Sequence, residues 1–436
     1  MTDPDGGTGS APLVCPGCGV ALQSQFEDRP GFVPPARLTD LAAQPAPLPL
    51  CRRCWRLRHY GELDARGVPS PEAAGSLARD AIGRADLVWL IVDLMDVGVS
   101  LAPEVMKALS GQIKPVIVIG TKYDLLPEVA VAAEVRVWLS AEVRAAGVEP
   151  AEVLVAGKGG RRRHQGINPP EAVWEASAAA TSRTARAFLG GLTIAVLGAT
   201  NTGKSTYIGR MAGADARRKP RTPGPLVSRL AGTTRGLMEL EVVTHGATLI
   251  DTPGIPALRV RAQDGLGERC ASSLVPAKAL QSRLERLRPG QALLLGGMGM
   301  VALEATGDDE VTLLAYAPDA LRLHKTQVSR WSELWDAHAG EWLTPPGPGC
   351  RSILQRRGFE AVRIRVQPRE DIELGGLGWV SIRGVQAGPT EYAFSVLVPT
   401  GTLVRTRPAL LQPRRRIGDL RGRRKEWHGR GREWQP

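Results

Sequence analysis

Leu192-Thr-Ile-Ala-Val-Leu197-Gly198-Ala-Thr-Asn201-Thr202-Gly203-Lys204-Ser205-Thr206 is the stretch on which the fold turns. Apolar, partly β-branched residues run into a glycine-punctuated turn, and the residues after Lys204 suit a helix. A strand that breaks at glycines and restarts as a helix leaves backbone N–H groups unpaired at the helix N-terminus, where a phosphate can take them. Lys204 would neutralise β and γ oxygens, and the Ser205 hydroxyl would ligate magnesium. Gly198, Asn201, Thr202, Gly203, Lys204, Ser205 and Thr206 are therefore expected to line a nucleotide site.

Downstream, Asp251-Thr-Pro-Gly254 closes the apolar run 247–250. Asp251 would hold magnesium through water, and the Gly254 backbone would sense the γ-phosphate. Between the two lies Gly232-Thr-Thr-Arg235, where either Thr233 or Thr234 would complete the magnesium shell. The element that reads the base should follow Asp251, yet nothing after Gly254 supplies it. It lies upstream, as Thr121-Lys122-Tyr123-Asp124 at the end of the apolar run 115–120. The Asp124 carboxylate can accept from both N1 and N2 of guanine, with the Lys122 stem laid over the base. Adenine lacks that donor pair, so an ATPase is disfavoured.

Around these motifs, β-branched and apolar runs recur at 87–93, 115–120, 152–156, 192–198, 239–243 and 247–251. Alanine-rich charged segments at 71–84, 129–146 and 170–186 read as helices between them. That alternation predicts an α/β domain, a mostly parallel sheet with helices on both faces, over 61–262. Beyond it the texture changes to glycine-rich turns and short apolar strands, which predicts a β-rich α+β domain over 263–412. A leader at 1–14 and a basic tail at 413–436 flank the folded parts. The tail holds nine arginines and lysines against three acids, half of the chain's net charge of +12.

With 436 residues and an apolar fraction of 43%, the chain has material for more than one core. Its charge favours a polyanionic partner, RNA rather than DNA. Basic clusters at 161–164 and 217–221 and a tail in which Trp427 and Trp434 alternate with arginine suit phosphate contact and base stacking. The best apolar run, 87–101, is interrupted by Asp93 and Asp96, so no membrane span is expected. The first residues lack a signal peptide's basic and apolar regions, which points to the cytoplasm. Cys15-Pro-Gly-Cys18 and Cys51-Arg-Arg-Cys54 supply four thiolates for a closed tetrahedral zinc site, predicting a zinc module over 15–60. Cys270 and Cys350 are expected to be ordinary reduced side chains.

In this motif order the chain resembles the circularly permuted P-loop GTPases, and within them the YqeH family of ribosome-assembly GTPases. The resemblance takes in the paired CxxC turns, Thr121–Asp124, the loop at 198–205, Gly232–Thr234, Asp251–Gly254, and the segments GQALLLGGMGM at 290–300 and EDIELGGLGW at 370–379. It implies a small-GTPase sheet in which three strands are entered before the phosphate strand. It also implies GTP and magnesium as ligands, and ribosomal RNA or the pre-ribosomal small subunit as partner. Two positions depart from the family pattern. Thr121 stands where the family has asparagine, which shortens the reach to guanine. Ala156-Gly157-Lys158 stands where the family has Ser-Ala-Lys beneath the base. Asn201 resembles the asparagine that ligates potassium in potassium-activated relatives, adding charge where the transition state needs it.

Ordinary small GTPases place a water-orienting glutamine directly after the Gly254 position, which is Ile255 here. Intrinsic hydrolysis is therefore expected to be slow. Two readings follow: a GTPase working on the ribosome, or a zinc-containing RNA-binding scaffold whose nucleotide site turns over weakly.

Overall fold

The computed structural model describes residues 13, 15, 21–27, 31–35, 49, 51–52, 69–157, 167–181, 191–216, 227–228, 237–242, 245–266, 268–304, 310–383 and 390–411. The expectations placed on the leader apart from residue 13, on 161–164, 217–221 and the tail, and on Cys18, Cys54, Lys158, Thr233 and Thr234 lie outside these residues.

Helix α1, Pro71–Arg84, starts where Ser70 accepts a hydrogen bond from the Ala73 N–H and Pro71 takes the first turn. It buries Ala74, Ala78, Ala81 and Ile82, a stripe of small side chains that seats the helix close to the sheet. Strand β1, Leu87–Asp93, follows and is buried along its whole length, as a central parallel strand covered on both faces must be. After the short helices α2 (Val97–Ser100) and α3 (Pro103–Leu109) come β2 (Val116–Thr121), α4 (Ala132–Ala145), β3 (Glu152–Val155) and α5 (Pro170–Thr181). Then β4 (Leu192–Leu197) and α6 (Lys204–Ala216) flank the glycine turn, and β5 (Val227–Ser228), β6 (Met238–Val242) and β7 (Ala247–Asp251) complete the sheet. The expected runs and helices at 71–84, 87–93 and 192–197 agree closely with these bounds.

The seven-stranded sheet has the order β3-β2-β1-β4-β7-β6-β5. Pairs β1–β2, β2–β3, β1–β4 and β4–β7 are parallel, while β5–β6 and β6–β7 are antiparallel. The three strands that precede β4 in the chain thus all lie on one side of it. One face buries Trp89, whose indole N–H donates to Ser177 Oγ at 2.9 Å and whose ring meets Trp174 edge-on.

Residues from about 260 build a second unit of two five-stranded antiparallel sheets. Its elements are α7 (Glu268–Ala271), β8 (Ser282–Leu287), β9 (Gln291–Leu295), β10 (Met300–Leu303), β11 (Val311–Tyr316), β12 (Leu323–Gln327), α8 (Trp331–His338) and α9 (Arg351–Arg357). They continue with β13 (Phe359–Val366), β14 (Glu370–Leu374), β15 (Gly378–Ile382), β16 (Tyr392–Pro399) and β17 (Val404–Pro408). One sheet runs β12-β9-β10-β16-β13 and the other β17-β14-β15-β11-β8. Along β16, Tyr392, Phe394, Val396 and Val398 are buried and alternate with half-buried residues, the period of a sheet with one face in the core. One expectation is corrected in this core. Cys270 and Cys350, read as separate reduced thiols, are joined in a disulfide with Cα atoms 5.9 Å apart. Eighty residues separate them in the chain, and only the fold brings them into bonding reach.

The two units share a polar seam. The Gly98 N–H donates to Glu373 Oε1 at 2.8 Å, and Arg405 bonds both Glu373 and Glu142 at 2.7 Å. Trp138 of α4 donates to the Pro408 carbonyl at 2.9 Å. Arg407, fully buried, lies between the Trp138 and Trp379 rings and pairs with Glu373 at 3.3 Å and Asp371 at 3.6 Å. Burial alone would raise the Glu373 carboxyl, but Arg407 and Arg405 reverse this and hold it below its ordinary value. Arg407→Ala would leave two buried carboxylates short of a countercharge and should destabilise the C-terminal unit by about 3–5 kcal/mol. Differential scanning calorimetry reads this as a lowered unfolding transition, and an unchanged thermogram would show that the arginine does not hold the seam.

Candidate functional site

The loop between β4 and α6 stands at the carboxyl end of the sheet, where parallel α/β folds bind ligands. Gly198 has φ +156°, and a Cβ there would come within 2.6 Å of the Ile91 carbonyl oxygen on β1. Only glycine lets the loop leave the strand this way. Asn201 takes a left-handed conformation, φ +60°, which asparagine tolerates better than other side-chain-bearing residues. Its side chain is exposed, as are Ser205 and Thr206 on the first turn of α6. Thr202 is buried and its hydroxyl donates to the Ala199 carbonyl at 3.0 Å, closing the turn.

Lys204 arcs back over the loop, its ammonium donating to the carbonyls of Gly198 and Ala199 at 3.1 and 3.2 Å. Burial pushes its pKa down to about 8, with the Asp251 charge opposing. Burial likewise pushes Asp251 up to about 6, with Lys204 opposing. Asp251 Oδ1 is buried without a hydrogen-bond partner among the described residues. A buried carboxylate oxygen of this kind, beside a lysine and an exposed serine hydroxyl, suits a divalent cation.

Just beyond, the chain lies along the phosphate loop. Ile255 N–H donates to the Gly198 carbonyl and its own carbonyl accepts from the Thr200 N–H, both at 3.2 Å. Gly254 passes so near that a Cβ would sit 2.8 Å from Thr200 Cα. Ile255 itself is fully buried in the core.

The base side forms where β2 and β3 end together. Tyr123 N–H donates to the Ala156 carbonyl at 3.1 Å, and a Cβ on Gly157 would fall 2.6 Å from Asp124 Oδ1. The small residue at 157 thus lets the loop pass directly over the carboxylate that would read guanine. Arg210 of α6 donates to the Gly157 carbonyl. Lys122 is left-handed, φ 61°, and its ammonium donates to Asp93 at 2.5 Å. Thr121 opens the base motif. It is buried, and its hydroxyl faces the carbonyls of Thr202 at 2.8 Å and Val92 at 3.2 Å. The hydroxyl therefore ties the base strand to the phosphate loop.

The structure gathers Gly198, Asn201, Thr202, Gly203, Lys204, Ser205, Thr206, Asp251, Gly254, Thr121, Lys122, Asp124 and Gly157 at one end of the sheet. Sequence reasoning missed Asp93, Asp96 and Arg261, which meet beneath the loop. Arg261 Nε donates to Asp96 Oδ2 at 2.8 Å, and Nη2 lies 3.4 Å from Asp93 Oδ2. Two carboxylates at the end of an otherwise apolar run were the available signal.

Cys15 and Cys51 are buried together, the Cys51 N–H donating to Cys15 Sγ at 3.2 Å. Among the described residues no group of three or more histidine, cysteine, aspartate or glutamate side chains could hold a metal. No described helix is long and apolar enough to cross a membrane.

A family model described as "50S ribosome-binding GTPase" matches residues 193–282, and one described as "YqeH-like, C-terminal" matches 310–410. The chain is 28% identical over 400 residues to "Uncharacterized protein YqeH" of Bacillus subtilis, covering 92% of this chain and 99% of that one. It is 23% identical over 546 residues to nitric oxide-associated protein 1 of Homo sapiens, covering 94% and 76%. It is 26% identical over 322 residues to GTPase Der of Xanthomonas oryzae pv. oryzae, covering 69% and 59%.

Two outcomes follow from this geometry. Gly157→Ala should push Asp124 aside and weaken GTP binding about tenfold, or about 1.4 kcal/mol, in a fluorescent-nucleotide titration. Magnesium needs the Asp251 carboxylate ionised, so below the pKa of about 6 a proton competes with the metal. Magnesium affinity of the nucleotide-free protein should fall about tenfold per pH unit there and level off above it. A titration flat from pH 5 to 8 would rule Asp251 out.

Proposed function

We propose that this chain, which belongs to the YqeH family of circularly permuted GTPases and hydrolyses GTP to GDP and phosphate, uses that turnover in assembly of the small ribosomal subunit. It binds ribosomal RNA in one nucleotide state and leaves in the other, in the cytoplasm. The observation that carries the GTPase part of this reading is the sheet order. The base strand β2 and the phosphate strand β4 flank β1 with their loops at one end, although β2 precedes β4 in the chain.

Within the site, Lys204 neutralises the β and γ oxygens after releasing the loop carbonyls, and the loop's N–H groups wrap the β-phosphate. Magnesium, when bound, would supply charge to the phosphate oxygens; Ser205, Asp251 through water, and Thr233 or Thr234 would hold it. Gly254 reports the γ-phosphate, Asp124 selects guanine, Lys122 covers the base, and Lys158 supports it. Asn201 would ligate a potassium ion, whose charge would stabilise the transition state beside the phosphates. Cys15, Cys18, Cys51 and Cys54 would hold a structural zinc; the joint burial of Cys15 and Cys51, with the Cys51 N–H donating to Cys15 Sγ, supports that ligand set. The scaffold reading draws its support from Ile255, buried where a water-orienting group would stand.

Phosphate release from GTP should be faster in potassium than in sodium, unaffected by excess ATP, and reduced by about 10² in Lys204→Ala. In sedimentation with a non-hydrolysable GTP analogue, the protein should travel with isolated small subunits and not with large ones. Comigration with large subunits alone would move the assignment, and bound GTP without turnover in either salt or with subunits present would favour the scaffold.

A further inference from the structure

Arg261 lies seven residues past Gly254, on the segment that carries the chain out of the nucleotide site and into the C-terminal unit. Its side chain is 3% exposed. Three of its donors are committed: Nε to Asp96, Nη2 toward Asp93, and Nη1 to the carbonyl of Thr200 within the phosphate loop at 3.1 Å. Three of the five guanidinium N–H groups are thus spent on holding neighbouring elements. The position of Arg261 joins three parts of the molecule. Asp96, which receives Nε on one oxygen, accepts the Gly376 N–H on the other at 2.6 Å. Gly376 belongs to the turn between β14 and β15 of the C-terminal unit. On either side of Arg261, the Val260 N–H donates to Gly401 and the Ala262 N–H to Gly375, so its backbone is clamped to the same unit. A cavity of about 240 Å³ opens beside it, with Lys122, Asn201, Gln263, Asp264 and Gly376 among the residues that line it. The nucleotide loop and the C-terminal unit thus face each other across this residue.

We propose that Arg261 is a positioning residue that sets the phosphate loop against the C-terminal unit, so that nucleotide state at the loop and seating of the 375–378 turn change together. The loop carbonyl at Thr200 and the turn amide at Gly376 are linked through one guanidinium and one carboxylate, both buried. A shift of the 254–261 segment on meeting a γ-phosphate cannot occur without moving one end of that chain of bonds. Neighbouring carboxylates Asp96, Asp93 and Asp264 outweigh the burial penalty and hold the guanidinium charged, and a short flexible substitute cannot span both ends. The coupling is reciprocal: whatever seats the C-terminal unit also sets nucleotide affinity. The proposal rests on residues 198–205 being the nucleotide loop, which direct GDP binding by the wild-type chain checks first.

The test uses the full chain with Arg261→Lys and Arg261→Met. Lysine keeps a cation for Asp93 and Asp96 but has no fork to reach Thr200 as well, so its melting temperature should stay near wild type. Its KM for GTP should rise about five- to tenfold with kcat changing less. Hydrogen-exchange mass spectrometry of the peptide spanning 370–380 should show protection that depends on the GTP analogue in wild type and is indifferent to it in the lysine variant. The methionine variant should lose the same response and also melt earlier. The proposal is overturned if the lysine variant keeps both the wild-type KM and the nucleotide-dependent exchange, or if wild type binds GDP and the GTP analogue with identical exchange at 370–380. Failure of wild type to bind either nucleotide would instead remove the site assignment.

Discussion

Asp93 and Asp96 leave water entirely at the carboxyl end of β1, at 0% and 4% exposure, and buried carboxylates persist only where cations and N–H donors meet them. Lys122 comes to Asp93 from the end of β2, and Arg261 reaches both from the segment after β7. The Met95 and Gly376 N–H groups take remaining oxygens. Satisfying these two acids draws the base strand, the exit from the γ-phosphate sensor and the C-terminal unit to one point under the phosphate loop.

The rest of the site can be read as resting on that platform. With Lys122 fixed by Asp93, the left-handed turn at 122 delivers Asp124 to the gap over Gly157. With Thr121 bridging Val92 and Thr202, the phosphate loop is held to the base strand by a hydroxyl. In this chain order β7 leads on into the C-terminal unit and has no direct connection to β1, and such cross-strand bonds keep the two halves in register. The C-terminal unit adds a second layer of fixation, since Leu280 N–H donates to the Leu125 carbonyl directly after the base motif.

The seam between units follows the same logic on a larger scale. Glu373, Arg405 and Arg407 are buried or half-buried and are balanced against Glu142, Asp371 and two tryptophan faces. Apolar contact accompanies them, because Leu280, Tyr316, Trp379 and Leu410 belong to the same core as β1 and β2. A seam of this composition is specific in register, since sliding it by one residue would strand a charge.

The local elements were legible in the sequence because each reports its own neighbourhood. Glycines where φ must be positive, a lysine and serine opening a helix, and an aspartate ending a strand are decided within a few residues. So is the alternation of apolar runs and helical segments that named the sheet and the order of its motifs. What the sequence left open, or in the case of Cys270 and Cys350 misread as separate thiols, was every pairing between distant residues: Arg261 with Asp93 and Asp96, Cys270 with Cys350, Arg407 between two tryptophans, and the Thr121 hydroxyl with the phosphate loop. The reason is physical. A charged or thiol side chain carries no mark of its partner in the chain, and only the closure of the sheets, which removes water from around it, decides which group it must meet.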